Sequence, residues 1–270
     1  MCKIIGQTRL MSVLNSYSVA TMPKAMLFIG PKGCGKHFIA KSLADHLELA
    51  YCELAADISA EELVDKTYCT IKTMYVINLD EFSEKQQNAL LKFIEEPSDT
   101  VFTVLVASST TSVIDTILNR CIKHSFDSYT AEELRQILGK AIDEQALAIF
   151  KTPGKLQMLT DKTFASTIAT ATHIVKNSIT LPYVNFIAVI GRVNFKDFYD
   201  KIDFELLLDA VSFIAFEDFV NTASVASINI FNVTNEFKQF VTNTRFIKEM
   251  LMVNYLTHVW EAARSETVRT

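Results

Sequence analysis

The sequence predicts an α/β domain built on a mostly parallel sheet, followed by an all-helical region. Three observations carry this. Over residues 1–126, short apolar runs alternate with stretches of helical periodicity, and strands alternating with helices of that length build a parallel sheet wrapped by helices. Beyond Phe126 the strand-like runs fade while helical periodicity continues. Gly and Pro number only 7 and 5. Average usage would give roughly 19 and 13 at this length, so long helices with few tight turns are favoured.

The elements follow in order. Ala25-Met26-Leu27-Phe28-Ile29 is a short apolar run ending at Gly30 and reads as a buried parallel strand. From His37 to Leu49 the apolar residues Phe38, Ile39, Leu43 and Leu47 keep a helical spacing. Ser59-Ala60-Glu61-Glu62 has the form of a capping box that opens another helix. Met74-Tyr75-Val76-Ile77 is a second buried strand. Ser83-Glu84-Lys85-Gln86 is again a capping box, and Pro97 stops the helix it opens. Val101 to Ala107 is a third strand and Ile122 to Phe126 a fourth. Thr130-Ala131-Glu132-Glu133 caps a helix to about Lys140, and more helix follows Thr152-Pro153-Gly154. From about Leu181 the pattern is long and helical, with Phe204, Leu207, Leu208 and Val211 on one face. A boundary falls near residue 127, and a second at Ser178 to Pro182.

Composition narrows the function. The 270 residues suffice for two or three compact units, and 49% hydrophobic against 21% charged residues marks a folded chain. Lys and Arg total 26 against 31 Asp and Glu, a net charge of −5. Binding nucleic acid through overall charge would need the opposite sign. No apolar run approaches the ~18 residues of a membrane helix, and the start, Met1-Cys2-Lys3-Ile4-Ile5-Gly6, lacks the apolar core of a signal peptide. Cysteines at 2, 34, 52, 69 and 121 form no CxxC pair. Such a set fits a reducing, cytoplasmic setting without zinc or another structural metal.

Gly30-Pro31-Lys32-Gly33-Cys34-Gly35-Lys36 matches GxxxxGK between a strand and a helix. Glycines let the backbone curl so that successive N–H groups face one cavity, and the next helix begins there with its positive end. Lys36 supplies a mobile charge for β and γ phosphates, so ATP or ADP is the expected ligand. The following residue should be a Ser or Thr that ligates Mg²⁺. It is His37, and imidazole is a poor ligand for a hard, oxygen-seeking ion. Nucleotide binding is expected; magnesium-assisted hydrolysis is placed in doubt.

Several segments together resemble the clamp-loader subunits of bacterial DNA polymerase III. Ile4-Ile5-Gly6-Gln7 with Pro23 to Lys36 resembles their opening. Asn88-Ala89-Leu90-Leu91-Lys92-Phe93-Ile94-Glu95-Glu96-Pro97 is very similar to their hallmark helix. Thr116-Ile117-Leu118-Asn119-Arg120-Cys121 is similar to their Ser-Arg-Cys motif with Asn119 in place of serine, and Thr152-Pro153-Gly154-Lys155 to a stretch of their second domain. The resemblance implies an AAA+ ATPase domain over 1–126, a small helical lid over 127–178 and a helical collar over 179–270. It implies partners too: other subunits in a hetero-oligomeric ring, a sliding clamp, and primed DNA reached through the assembly.

It also implies site roles. In this family an acidic pair ends the strand after the phosphate loop; the aspartate holds Mg²⁺ and the glutamate polarises the attacking water. The family's spacing back from Asn88 places Ile77 and Asn78 there, and neither does that chemistry. With a shorter connecting loop, Asp80 and Glu81 would fill the roles. Arg120 matches the arginine that projects toward ATP in a neighbouring subunit, a task suited to a planar, permanently charged fork. Ser109 lies where the family has a polar γ-phosphate sensor, and Lys155 matches the basic sensor of the lid. The four-cysteine zinc module common in these relatives is absent, since only Cys52 and Cys69 stand between the motifs. A weak site beside an intact Arg120 is the pattern of a delta-prime type subunit. A catalytically active gamma or tau type subunit is the alternative, and a P-loop protein outside replication a third.

Overall fold

The computed structural model describes residues 4–58, 60–192, 203–241 and 248–268. They divide into two compact units, one of residues 1–141 with 151–154, the other of 142–150 with 155–270.

The first unit is built on β1 (Ala25–Ile29), β2 (Ala50–Leu54), β3 (Thr73–Asn78), β4 (Val101–Ala107) and β5 (Ile122–Ser125). The sheet order is β2-β3-β4-β1-β5, and every pairing is parallel. In β4 Phe102, Val104 and Val106 join one core with Met26, Phe28, Ile39 and Leu43. Val101, Leu105 and Ala107 join the other with Leu27, Tyr75, Ile77, Leu90 and Phe93. A central strand covered on both faces is apolar at nearly every position, Thr103 being the polar residue of β4, which is why these runs show no polar alternation. Each such fully buried aliphatic or aromatic side chain contributes about 1.5–3 kcal/mol.

Five strands are present where four were expected. The additional one, β2, sits at the sheet edge, with Ala50 and Glu53 exposed and Leu54 buried. An edge strand needs only one apolar side, so Ala-Tyr-Cys-Glu-Leu offered no continuous apolar run.

The helices of this unit are α1 (Thr8–Asn15), α2 (Lys36–His46), α3 (Ala60–Thr67), α4 (Glu84–Glu95), α5 (Asp115–Leu118) and α6 (Ala131–Leu138). Ser83 donates its backbone N–H to Gln86 Oε1 at 2.9 Å at the head of α4. At the head of α6, Thr130 donates its N–H to Glu133 Oε2 at 2.8 Å and accepts from the Glu133 N–H at 3.2 Å. Both caps stand where the sequence places them. The expected cap at Ser59 lies outside the described residues. Helix α4 ends at Glu95, two residues before Pro97, whose ring disfavours helical geometry in the residue preceding it.

The second unit is helical: α7 (Glu144–Ile149), most of α8 (Pro153–Met158), α9 (Asp161–Thr180), α10 (Tyr183–Arg192), α11 (Phe204–Thr222), α12 (Val225–Val241) and α13 (Lys248–Ala262). Helix α11 packs between α9 and α12, and α13 packs on α12. Leu207, Leu208 and Val211 of the expected apolar face are buried, with Ala210 and Ala215 beside them. Tyr255 is wholly buried and its hydroxyl pairs with Thr234 Oγ1 at 2.9 Å. Among the described residues no helix is long and apolar enough to cross a membrane.

Candidate functional site

The site grows from the turn between β1 and α2. Gly33 and Gly35 stand at φ 77° and 96°, the left-handed region open to glycine. Their curl brings the chain to Gly35, directly before the first turn of α2, so free backbone N–H groups and a positive helix end converge there. Lys36 is only 6% exposed. Its ammonium donates to the Gly30 carbonyl and, at 3.1 Å, to the Pro31 carbonyl. Burial lowers its pKa, and the Asp80 carboxylate opposes that shift.

Neighbouring elements hold the loop from outside. Tyr129 donates its hydroxyl to the Cys34 carbonyl at 2.8 Å. The Cys34 thiol is buried, which pushes its pKa up. Buried Gln7 clamps Asp127, accepting its N–H at 2.8 Å and donating to its carbonyl at 2.7 Å. Gly154 donates its N–H to the Gly33 carbonyl at 2.9 Å.

His37 follows Lys36 and faces Glu53 of β2, Nδ1 to Oε1 at 3.3 Å. Tyr51 donates its hydroxyl to the same oxygen at 2.5 Å. The Tyr51 hydrogen bond is the chief reason the Glu53 carboxyl titrates below its ordinary range, with His37 adding to it. A nucleotide's phosphates fit the glycine curl, the helix end and Lys36. A hard metal ion does not fit at His37, which offers a nitrogen already engaged by a carboxylate. Among the described residues no group of three or more His, Cys, Asp or Glu is placed to hold a metal. Cys34, Cys52, Cys69 and Cys121 are free thiols.

Strand β3 ends at Asn78, and Asp80 and Glu81 lie on the single 3₁₀ turn beyond it. Asp80 accepts from the Ser108 N–H at 3.0 Å, from the Ser108 hydroxyl, and from Ser112 Oγ at 3.2 Å. It ties the ends of β3 and β4 together. Glu81 accepts from Asn78 Nδ2 at 2.8 Å. Ser109 pairs its hydroxyl with Thr111 at 2.6 Å, so Ser108 is the serine that reaches Asp80.

Arg120 makes its contacts elsewhere. Its Nε pairs with Glu95 and its Nη1 donates to the Thr116 carbonyl at 2.9 Å. In the second unit, Lys155 binds Asp209 Oδ2 at 2.5 Å, and Lys238 takes the other oxygen at 3.1 Å. Burial lowers the Lys238 pKa, with Asp209 opposing. Sequence reasoning missed Glu53, Ser108, Ser112, Tyr129 and Asp209. Each belongs to no motif; the first four join the site only through the fold, and Asp209 meets Lys155 in the second unit.

Residues 53–130 match the family model described as DNA polymerase III, delta subunit. The chain is 24% identical to DNA polymerase III subunit gamma of Buchnera aphidicola subsp. Schizaphis graminum, over 91% of this chain and 77% of that protein. It is 26% identical to DNA polymerase III subunit tau of Escherichia coli, over 58% of this chain and 29% of that protein. Among solved structures, a DNA polymerase III gamma subunit-related protein from Thermotoga maritima superposes with TM-score 0.51 at 11% identity, covering 95% of this chain and all of that one. That likeness speaks to the fold. The sequence matches, on a parallel α/β fold with its phosphate loop in place, make this chain similar to the gamma and tau subunits of DNA polymerase III.

Proposed function

We propose that the chain is a delta-prime type member of a clamp loader. It binds ATP or ADP at Gly30–Lys36, hydrolyses it weakly or not at all, and donates Arg120 to the ATP site of a neighbour. The observation that carries this reading is His37. The phosphate loop is complete, yet the residue that should hold Mg²⁺ is an imidazole bonded to Glu53. The strand-end position, Asn78, adds no carboxylate. In this reading residues 1–126 form the ATPase-like domain, 127–178 a lid and 179–270 a collar. The collar joins the chain to other subunits in a cytoplasmic ring, and that assembly places a sliding clamp on primed DNA. With a net charge of −5, this subunit contacts DNA only through the assembly. Ser109 and Lys155 are the polar and basic sensors of the nucleotide state.

One observation favours a second reading, a catalytically active gamma or tau type subunit: Asp80 bonds Ser108, next in sequence to Ala107, whose carbonyl accepts the N–H of Gly30 in the phosphate loop. There Asp80 and Glu81 would be the acidic pair.

Nucleotide binding and MgATP turnover by the isolated chain separate the two. Binding with turnover below about 1 s⁻¹, the low end of ordinary enzyme rates, supports the delta-prime reading. Steady magnesium-dependent turnover above that rate replaces it with the active one. Failure to bind nucleotide at all removes the phosphate loop from the function.

A further inference from the structure

We infer that Glu95 is a positioning residue for Arg120, holding its guanidinium pre-oriented for an ATP phosphate of a neighbouring subunit. The inference rests on the arginine-donor reading above and deepens it. Arg120 follows the short helix α5, and Glu95 is the last residue of α4. Their side chains are both 42% exposed, so this is a surface pair, and surface pairs add little to stability. The geometry is what distinguishes it.

Glu95 takes Nε, and the Thr116 carbonyl takes one Nη1 proton at 2.9 Å. The two contacts fall on different sides of the planar group and together fix its plane. The Nη2 amine makes no hydrogen bond among the described residues. It remains available, beside the second Nη1 proton, as the two-pronged fork that matches phosphate oxygens. A free arginine would sample many rotamers and give up that freedom at each encounter. One anchored at two points on folded elements has given it up beforehand. Glu95 also stands at the C-terminal end of α4, where unpaired helix carbonyls add negative potential. The anchor is therefore electrostatically suited to a cation, while its exposure lets the guanidinium shift toward a stronger anion.

The test uses the whole assembly purified from its own cells through a tag on this chain, with each variant replacing the wild type. Glu95→Gln keeps the size and loses the charge. It should lower the assembly's kcat for MgATP by roughly 3–10-fold, with KM little changed, because positioning acts on the reacting state. Glu95→Asp, with charge kept and reach shortened, should fall between Glu95→Gln and wild type. In an Arg120→Ala assembly, adding Glu95→Gln should change nothing further, since residues acting as one unit are not additive. Melting temperatures of the four variants should agree with wild type, which keeps folding out of the comparison. If Arg120→Ala slows the assembly and Glu95→Gln does not, the positioning role is overturned and the arginine donor survives. If Arg120→Ala is silent, both are overturned. If the two losses multiply, Glu95 acts independently of Arg120 and the inference fails.

Discussion

Gly154 approaches Gly33 so closely that a methyl group on Gly154 would lie 2.7 Å from the Gly33 α-carbon and 3.1 Å from its carbonyl oxygen. The same two residues share a 2.9 Å backbone hydrogen bond. The Pro153-Gly154 segment thus rests on the crown of the phosphate loop, and the contact exists because neither residue has a side chain.

Gly154→Ala should therefore deform the loop, since the clash is with backbone that cannot swing aside. Overpacking of this kind costs about 1–3 kcal/mol. The variant should melt earlier and bind nucleotide more weakly than wild type, measured by thermal melt and by titration with a fluorescent ADP. A melt and an affinity equal to wild type would show that the segment is free to move away.

Lys36→Met keeps the length of the side chain and removes its charge. Lys36 contributes two hydrogen bonds to loop carbonyls in this structure. The variant should stay folded and lose nucleotide affinity by at least tenfold, about 1.4 kcal/mol, within the range of one hydrogen bond to a charged group. Equilibrium binding checks it; undiminished affinity would place the nucleotide elsewhere.

Asp80→Asn tests a structural role against a chemical one. Asp80 accepts three hydrogen bonds from Ser108 and Ser112, and an amide nitrogen would replace one of its two accepting oxygens. The expected loss is about 1–3 kcal/mol of stability, read from urea unfolding. An unchanged midpoint together with a changed ATP turnover would favour the active-subunit reading.

His124 gives a pH dependence with a definite sign. It is buried against Phe28 and Tyr17, with ring centroids at 5.7 and 6.2 Å, and its Nε2 has no partner among the described residues. Burial lowers its pKa below the ordinary 6.5. Well above pH 6.5 the ring is neutral in both states and adds no pH dependence. As pH falls below 6.5 the unfolded chain takes up the proton first, so stability declines until the folded pKa is passed. His124→Phe should flatten this part of the stability–pH curve between pH 7 and 5. An unaltered slope would show that another group governs it.

The strands β1, β3 and β4 were legible because a strand buried on both faces must be mostly apolar, and that constraint is written in consecutive residues. The phosphate loop was legible for the same reason: Gly33, Gly35 and Lys36 act through local backbone conformation, which sequence spacing fixes. The caps at Ser83 and Thr130 need only a partner three residues on. Strand β2 escaped notice because an edge strand satisfies half its surface with solvent and needs no apolar run. The surroundings of the site were decided by tertiary structure alone. Glu53 reaches His37, Ser108 reaches Asp80, Tyr129 reaches Cys34 and Gly154 reaches Gly33 only because the sheet order brings the ends of separate elements together. Such contacts depend on distance in space, and a carboxylate or hydroxyl carries no sign in the sequence of which distant partner it will meet.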